Sequence, residues 1–167
     1  MKSFLSVIVF SLVLAVGMQS NAYGAPFQTA EGVRTERPLG IYGSLLGEPF
    51  GLVGINFARN TTDFLRVNLG IGYTSSSLIS SGAMSFGTGV KLLVPGWDFT
   101  PVIGTNLSLL ALFSGPAGFV QYENIGVEYT SPQGFHMGVG INTLFIVEGS
   151  TSLAGGVVPY LNVGMFF

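Results

Sequence analysis

The chain has 167 residues, with six basic and eight acidic side chains, 48% hydrophobic residues and 25 glycines. Charged residues make up only 8% of it, against about a quarter in ordinary soluble domains. That is too few to clothe a soluble protein of this size. The absence of cysteine excludes a disulfide framework, a thiolate metal site and a cysteine nucleophile. It also excludes the lipid-acceptor cysteine of a bacterial lipoprotein, and the mild negative charge offers no basic patch for nucleic acid.

Residues 1–24 read as a signal peptide. Lys2 supplies the positive start, and Phe4 to Val16 forms an apolar run interrupted only by Ser6 and Ser11. Ala22-Tyr23-Gly24 places small residues where a signal peptidase reads them, so cleavage is expected before Ala25. Residues 25–38 are polar and aperiodic and read as a short periplasmic tail with little order. Beyond the N-terminus no run approaches the ~18 apolar residues of a spanning helix. An apolar exterior without spanning helices leaves a closed barrel, because lipid tolerates only structures that satisfy every backbone group internally.

The rest of the chain alternates with period two. Along residues 64–73, Leu65, Val67, Leu69, Ile71 and Tyr73 share one face, and Arg66, Asn68, Gly70 and Gly72 the other. Ten residues also suit a tilted membrane-crossing strand. The pattern recurs at 83–92, 102–111 and 135–147, and more weakly at 39–46, 51–59, 119–130 and 157–167. The count is eight, and bacterial barrels use even numbers. With both termini periplasmic, the short segments 60–63, 94–98 and 131–134 become periplasmic turns. Segments 47–50, 74–82, 113–118 and 148–156 become outer loops. Aromatic girdles are expected from Phe57, Phe64, Trp97, Phe99, Tyr129, Phe135 and Phe167 at one rim, and from Tyr73, Phe113, Phe119 and Tyr122 at the other.

A Gly-and-Asn pattern on the inward face suggests a register. Gly54 and Asn56 mirror Asn68 and Gly70; Gly104 and Asn106 mirror Asn124 and Gly126; Gly140 and Asn142 mirror Asn162 and Gly164. Pairing like with like places Asn56 opposite Asn68, Asn106 opposite Asn124 and Asn142 opposite Asn162. Between the third and fourth strands the pattern sets Asn68 opposite Gly89 and Arg66 opposite Lys91. Glu128 and His136, expected opposite each other, face inward at the same rim. Two opposed cations need a neutralising partner. A luminal polar cluster of Arg66, Lys91, Glu128 and His136 is therefore expected, with Glu128 bonding to or lying across from the two cations.

The last strand alternates to a terminal aromatic, Phe167, and resembles the assembly signal of bacterial outer-membrane barrels. With the signal peptide and eight segments, residues 39–167 resemble the small eight-stranded outer-membrane barrel class, without pointing to one family. The resemblance implies an all-β, antiparallel, up-and-down transmembrane barrel in the bacterial outer membrane, delivered by the barrel-assembly machinery and surrounded by outer-membrane lipid. Some members modify lipid A, which takes a nucleophile, a base and an orienting acid. The one histidine here, His136, falls at the periplasmic rim, away from the outer leaflet, so no enzyme is expected. With one His, no Cys and scattered carboxylates, no metal or other cofactor is expected either. A soluble lipocalin-like binder would need the opposite polarity, apolar inside and polar outside. Two roles stay open: a structural or surface-interaction barrel with a filled interior, and a narrow pore or carrier for a small solute that the sequence does not identify.

Overall fold

The computed structural model describes residues 30–75, 82–95, 99–114, 117–148 and 156–167. The signal-peptide segment, Trp97 and most of the expected loops at 74–82 and 148–156 lie outside the described residues. Eight antiparallel strands close into a barrel, each bonded to its sequence neighbour and the first to the last. They are β1 (Leu39–Leu45), β2 (Val53–Thr62), β3 (Leu65–Thr74), β4 (Ala83–Leu93), β5 (Phe99–Leu112), β6 (Gly118–Thr130), β7 (Phe135–Glu148) and β8 (Val157–Phe166). The seam between β8 and β1 is sealed at its end by two backbone bonds, Leu39 N–H to Phe167 O at 3.2 Å and Phe167 N–H to Leu39 O at 2.7 Å.

Alternation sorts the side chains to two environments. Outward, Ile55, Leu69, Ile125 and Val139 are 57, 59, 57 and 50% exposed. Inward, Asn56, Asn68, Ser85, Asn106, Ser108, Asn124 and Asn162 are buried. Arg59 and Glu123 are charged side chains on the outward parity of their strands. The polarity of a soluble protein is thus inverted.

The inward and outward faces lie as the periodicity predicts, but four of the five expected hairpin registers do not. Between β3 and β4 the pairing Arg66 with Lys91 and Asn68 with Gly89 is as expected. Between β2 and β3 the structure pairs Asn56 with Gly70, and between β5 and β6 it pairs Gly104 with Asn124. Between β7 and β8 it sets Gly138 opposite Asn162 and Gly140 opposite Tyr160. Glu128 faces Gly138, and His136 faces Thr130, rather than each other. Every slip is by an even number of residues, so no side chain changes face. The physical reason is volume. A Cβ on Gly70 would lie 2.5 Å from Asn56 Oδ1, and one on Gly104 would lie 2.7 Å from Asn124 Oδ1. At these two rungs the asparagine side chain fills the space that its glycine partner leaves open, although elsewhere like does face like, as Asn124 faces Asn142 and Gly126 faces Gly140.

Two further expectations need correction. Tyr122 does not join an aromatic girdle: it shares inward parity with Val120 and Asn124 and is buried. Residues 25–38 are not uniformly without order. Helix α1 (Ala30–Glu36) lies against the rim where β1 starts and β8 ends. Its Arg34 is buried and donates to Asp63 O at 2.8 Å and to Thr100 Oγ1. Thr35 Oγ1 donates to Asp63 Oδ1 at 2.8 Å. This end is called the terminal rim below, and the opposite end the loop rim.

The seam bonds make Phe167 part of the closure. Deleting Phe167 is expected to lower the fraction of chain that refolds in detergent to the fast-migrating, heat-modifiable form on gels. Deleting one residue of the segment 25–28 should leave it unchanged, and equal fractions for the two deletions would contradict the role of the seam.

Candidate functional site

The interior holds a charged network whose bonded members come from strands β1 to β6 and one loop. β3 and β4 are in a register that brings Arg66 and Lys91 side by side on the inward face. β6 supplies Glu128, whose carboxylate joins both: Arg66 Nη1 lies 2.5 Å from Oε2 and Lys91 Nζ lies 2.8 Å from Oε1. All three side chains are essentially sealed from solvent. Arg66 Nε also donates to Asn60 Oδ1 at 2.9 Å, and its guanidinium sits 4.5 Å from the Phe166 ring centre. The structure therefore brings Arg66, Lys91 and Glu128 into one cluster.

His136 lies beside this cluster without bonding to its carboxylate. Its Nδ1 is 3.2 Å from Thr130 Oγ1. Its ring packs between Tyr42 and Phe166, with centroids at 5.5 and 5.1 Å. Phe167 points outward, with over half its surface exposed, and lies away from the cluster.

One carboxylate cannot neutralise two buried cations, and the second anion comes from a place the sequence reading assigned to the exterior. Residues 47–50 are expected there as an outer loop; they instead turn down into the barrel. Glu48 is buried, and its carboxylate reaches the middle of the lumen. Oε1 accepts from Asn106 Nδ2 at 3.3 Å and from Asn124 Nδ2, and lies 3.2 Å from Lys91 Nζ. Oε2 accepts from Tyr42 Oη at 3.0 Å and Asn68 Nδ2 at 2.9 Å. The Glu48 carbonyl accepts from Asn56 Nδ2 and Ser44 Oγ. The luminal asparagines are thus the donors that a buried carboxylate requires.

Glycine makes the space. Pro49 follows Glu48 and rests in a bay formed by Gly54, Gly70, Gly72 and Gly87. A Cβ on Gly70 or Gly87 would come within 2.7 or 2.6 Å of the Pro49 ring. Above it, Phe50 packs on the apolar shelf of Leu110, Val120 and Tyr122, and its N–H donates to Ser108 Oγ at 3.1 Å. The loop ends are tied by Leu46 N–H to Leu52 O at 3.0 Å and by Asn142 Nδ2 to Leu46 O at 2.9 Å.

Among the described residues no group of three His, Cys, Asp or Glu side chains is placed to hold a metal ion. Scans against protein-family models, curated proteins and solved structures find no match to this chain. The interior must therefore be read from its own chemistry. It gathers two cations, two carboxylates and a ring of neutral amide donors.

Removing one member of a buried charge network leaves its partners uncompensated, which typically costs about 3–5 kcal/mol. Glu128→Met is expected to destabilise the barrel by about that amount. The double substitution Arg66→Met with Glu128→Met still leaves the Lys91–Glu48 pair balanced, so it should cost less than Glu128→Met alone. Denaturant unfolding in detergent micelles measures both; a double variant less stable than the single one would refute the charge argument.

Proposed function

We propose that this chain is an outer-membrane β-barrel of a Gram-negative-type bacterium, exported by its N-terminal signal peptide, with a structural or surface-interaction role and a filled interior. The observation that carries the reading is the inverted polarity of the closed barrel. All eight strands turn mostly apolar side chains outward, with Arg59 and Glu123 among the exceptions, while Arg66, Lys91, Glu128, His136 and the luminal asparagines pack inside. Closure leaves no unpaired sheet edge, which is what a sheet needs in hydrocarbon. Strands of ten or more residues, such as β2 to β8, are long enough for a tilted crossing of the apolar layer. Phe99 stacks on Tyr129 near the terminal rim and Tyr73 on Phe113 near the loop rim, as amphipathic ring girdles would. In this reading the terminal rim is periplasmic, and the barrel-assembly machinery inserts the chain.

A second reading is a narrow pore or carrier for a small solute. One feature of the lumen favours it: the part of the interior nearest the loop rim is filled by a loop, not by the wall.

Fractionation of cells expressing the full chain tests the main reading, with recovery expected in the outer membrane and in a heat-modifiable form. Recovery in the soluble periplasm would overturn it. In folding titrations from lipid vesicles, Leu69→Arg near the middle of β3 is expected to cost about 2–4 kcal/mol. Leu69→Phe should be close to neutral. In planar bilayers the unmodified barrel is expected to be silent, and steady conductance would favour the pore.

A further inference from the structure

The Glu48 side chain is held the way a bound ligand is held. Its two oxygens meet five donors, and each donor comes from a different strand: Tyr42 on β1, Asn68 on β3, Lys91 on β4, Asn106 on β5 and Asn124 on β6. The carboxylate itself belongs to no strand. Four of the five donors are neutral, and the single cation matches a single negative charge. The donors divide between the two oxygens, which a planar carboxylate satisfies and a spherical halide does not.

Without Glu48, the wall around this point carries Arg66 and Lys91 against Glu128 alone, an excess of one positive charge. A monoanion entering the same place restores neutrality. Hydrogen-bonding capacity extends toward the loop rim as well. Asn162 is buried with both amide atoms unpartnered, and a Cβ on Gly47 would lie 3.2 Å from its Oδ1. Tyr160 Oη is likewise buried without a partner.

The tip of the loop that brings Glu48 here, residues 47–51, belongs to no strand, while its base is tied to the wall by Asn142 Nδ2 to Leu46 O at 2.9 Å and by Leu52 N–H to Tyr73 O at 2.8 Å. Strand-to-strand bonding closes the barrel without it. Leu46, where the chain leaves β1, holds a left-handed backbone with φ 53°, a conformation unfavourable for a side chain other than glycine. The contacts of Glu48, Pro49 and Phe50 therefore hold the loop inside.

We propose that the luminal ring of Tyr42, Asn68, Lys91, Asn106 and Asn124 is a binding site for a small monocarboxylate, which Glu48 occupies as a self-ligand when the loop of residues 46–52 is folded in. The proposal deepens the pore-or-carrier reading and rests on it for its physiological meaning. The external carboxylate and the loop compete for one place, so the apparent affinity falls with the fraction of barrel whose loop is in. Propionate has the length and charge of the Glu48 side chain beyond its Cα and is the probe of choice. Propionamide is its neutral counterpart.

Titration calorimetry on detergent-solubilised barrel, with closure checked by heat-modified gel mobility, compares the unmodified chain with Glu48→Ala and Pro49→Ala. Glu48→Ala is expected to bind propionate saturably, and propionamide at least about tenfold more weakly. Pro49→Ala, which loosens the wedge but keeps the self-ligand, should bind propionate with intermediate affinity. It carries the test by itself if Glu48→Ala fails to close. A fluorophore on Leu52→Cys, in a chain that otherwise lacks cysteine, should shift with propionate and not with propionamide as the loop leaves. Equal binding of the two probes, no binding by any closed variant, or an unmoved Leu52 label would overturn the site. These readouts are taken in micelles, so their failure leaves the outer-membrane reading standing. Recovery of the chain in the soluble periplasm would not by itself remove the site.

Discussion

The structure turns on the neutralisation of two cations inside a narrow lumen. The β3–β4 register leaves no choice about where they lie: Arg66 and Lys91 are direct neighbours on the inward face. Like charges so placed repel, and a buried charge without a partner costs several kcal/mol in a medium of low polarity. Glu128 comes from the wall across the barrel and bonds to both. The second anion is delivered by a loop. The loop then has to cross the upper lumen, and the residues on that path are chosen by it: glycine where Pro49 passes, asparagine where the carboxylate stops, and an apolar shelf where Phe50 rests.

The same demand explains the composition of the inner face. In an eight-stranded barrel the interior is about wide enough to be filled by side chains, so volume must be matched rung by rung. Glycine opposite asparagine, tyrosine or histidine meets that condition at Gly70, Gly140 and Gly164. The glycines that a soluble strand would avoid are here the complement of large inward groups, not points of flexibility.

How much of this was legible in the sequence follows from which forces are periodic. The two faces of each strand, the number of strands and most strand limits were legible, because alternation between apolar and polar side chains repeats every second residue. The cluster of Arg66, Lys91 and Glu128 was legible too, since the β3–β4 register came from a pattern that happens to pair asparagine with glycine. The like-with-like rule failed in the hairpins it was applied to, although Asn124 does face Asn142 between β6 and β7, because it counted symmetry and ignored the volume available at each rung. It put Asn56 opposite Asn68, where the barrel puts Gly70. Tyr122 was misplaced by its nearness to a rim, although its parity already turned it inward. Glu48 was missed because a four-residue loop between strands reads as exposed. A signal existed: the inward faces offered two cations and one carboxylate, and a Glu beside a Pro faced a row of inward glycines with nothing to fill it. Arg34 left no comparable trace, since a seven-residue helix in a polar segment has no apolar stripe to betray it.

A plug made from a loop differs in kind from one made from the wall. Side chains of the wall cannot leave the lumen without breaking the sheet, and the sheet is bonded strand to strand around the whole barrel. Residues 47–51 carry no rung of the β1–β2 ladder, which runs to Leu45 opposite Val53, and the loop is pinned at its base by Leu52 N–H to Tyr73 O at 2.8 Å and by Asn142 Nδ2 to Leu46 O at 2.9 Å. Its departure exposes the amides of Asn68, Asn106 and Asn124 and the amine of Lys91, all aimed at one point. Such a group of donors is costly to leave unanswered. The empty site would therefore be the least stable arrangement of the three: loop in, solute in, or nothing in. Exchange between the first two requires only that a carboxylate arrive as the loop departs. The charge balance that holds the loop inside is thus also what would select its replacement.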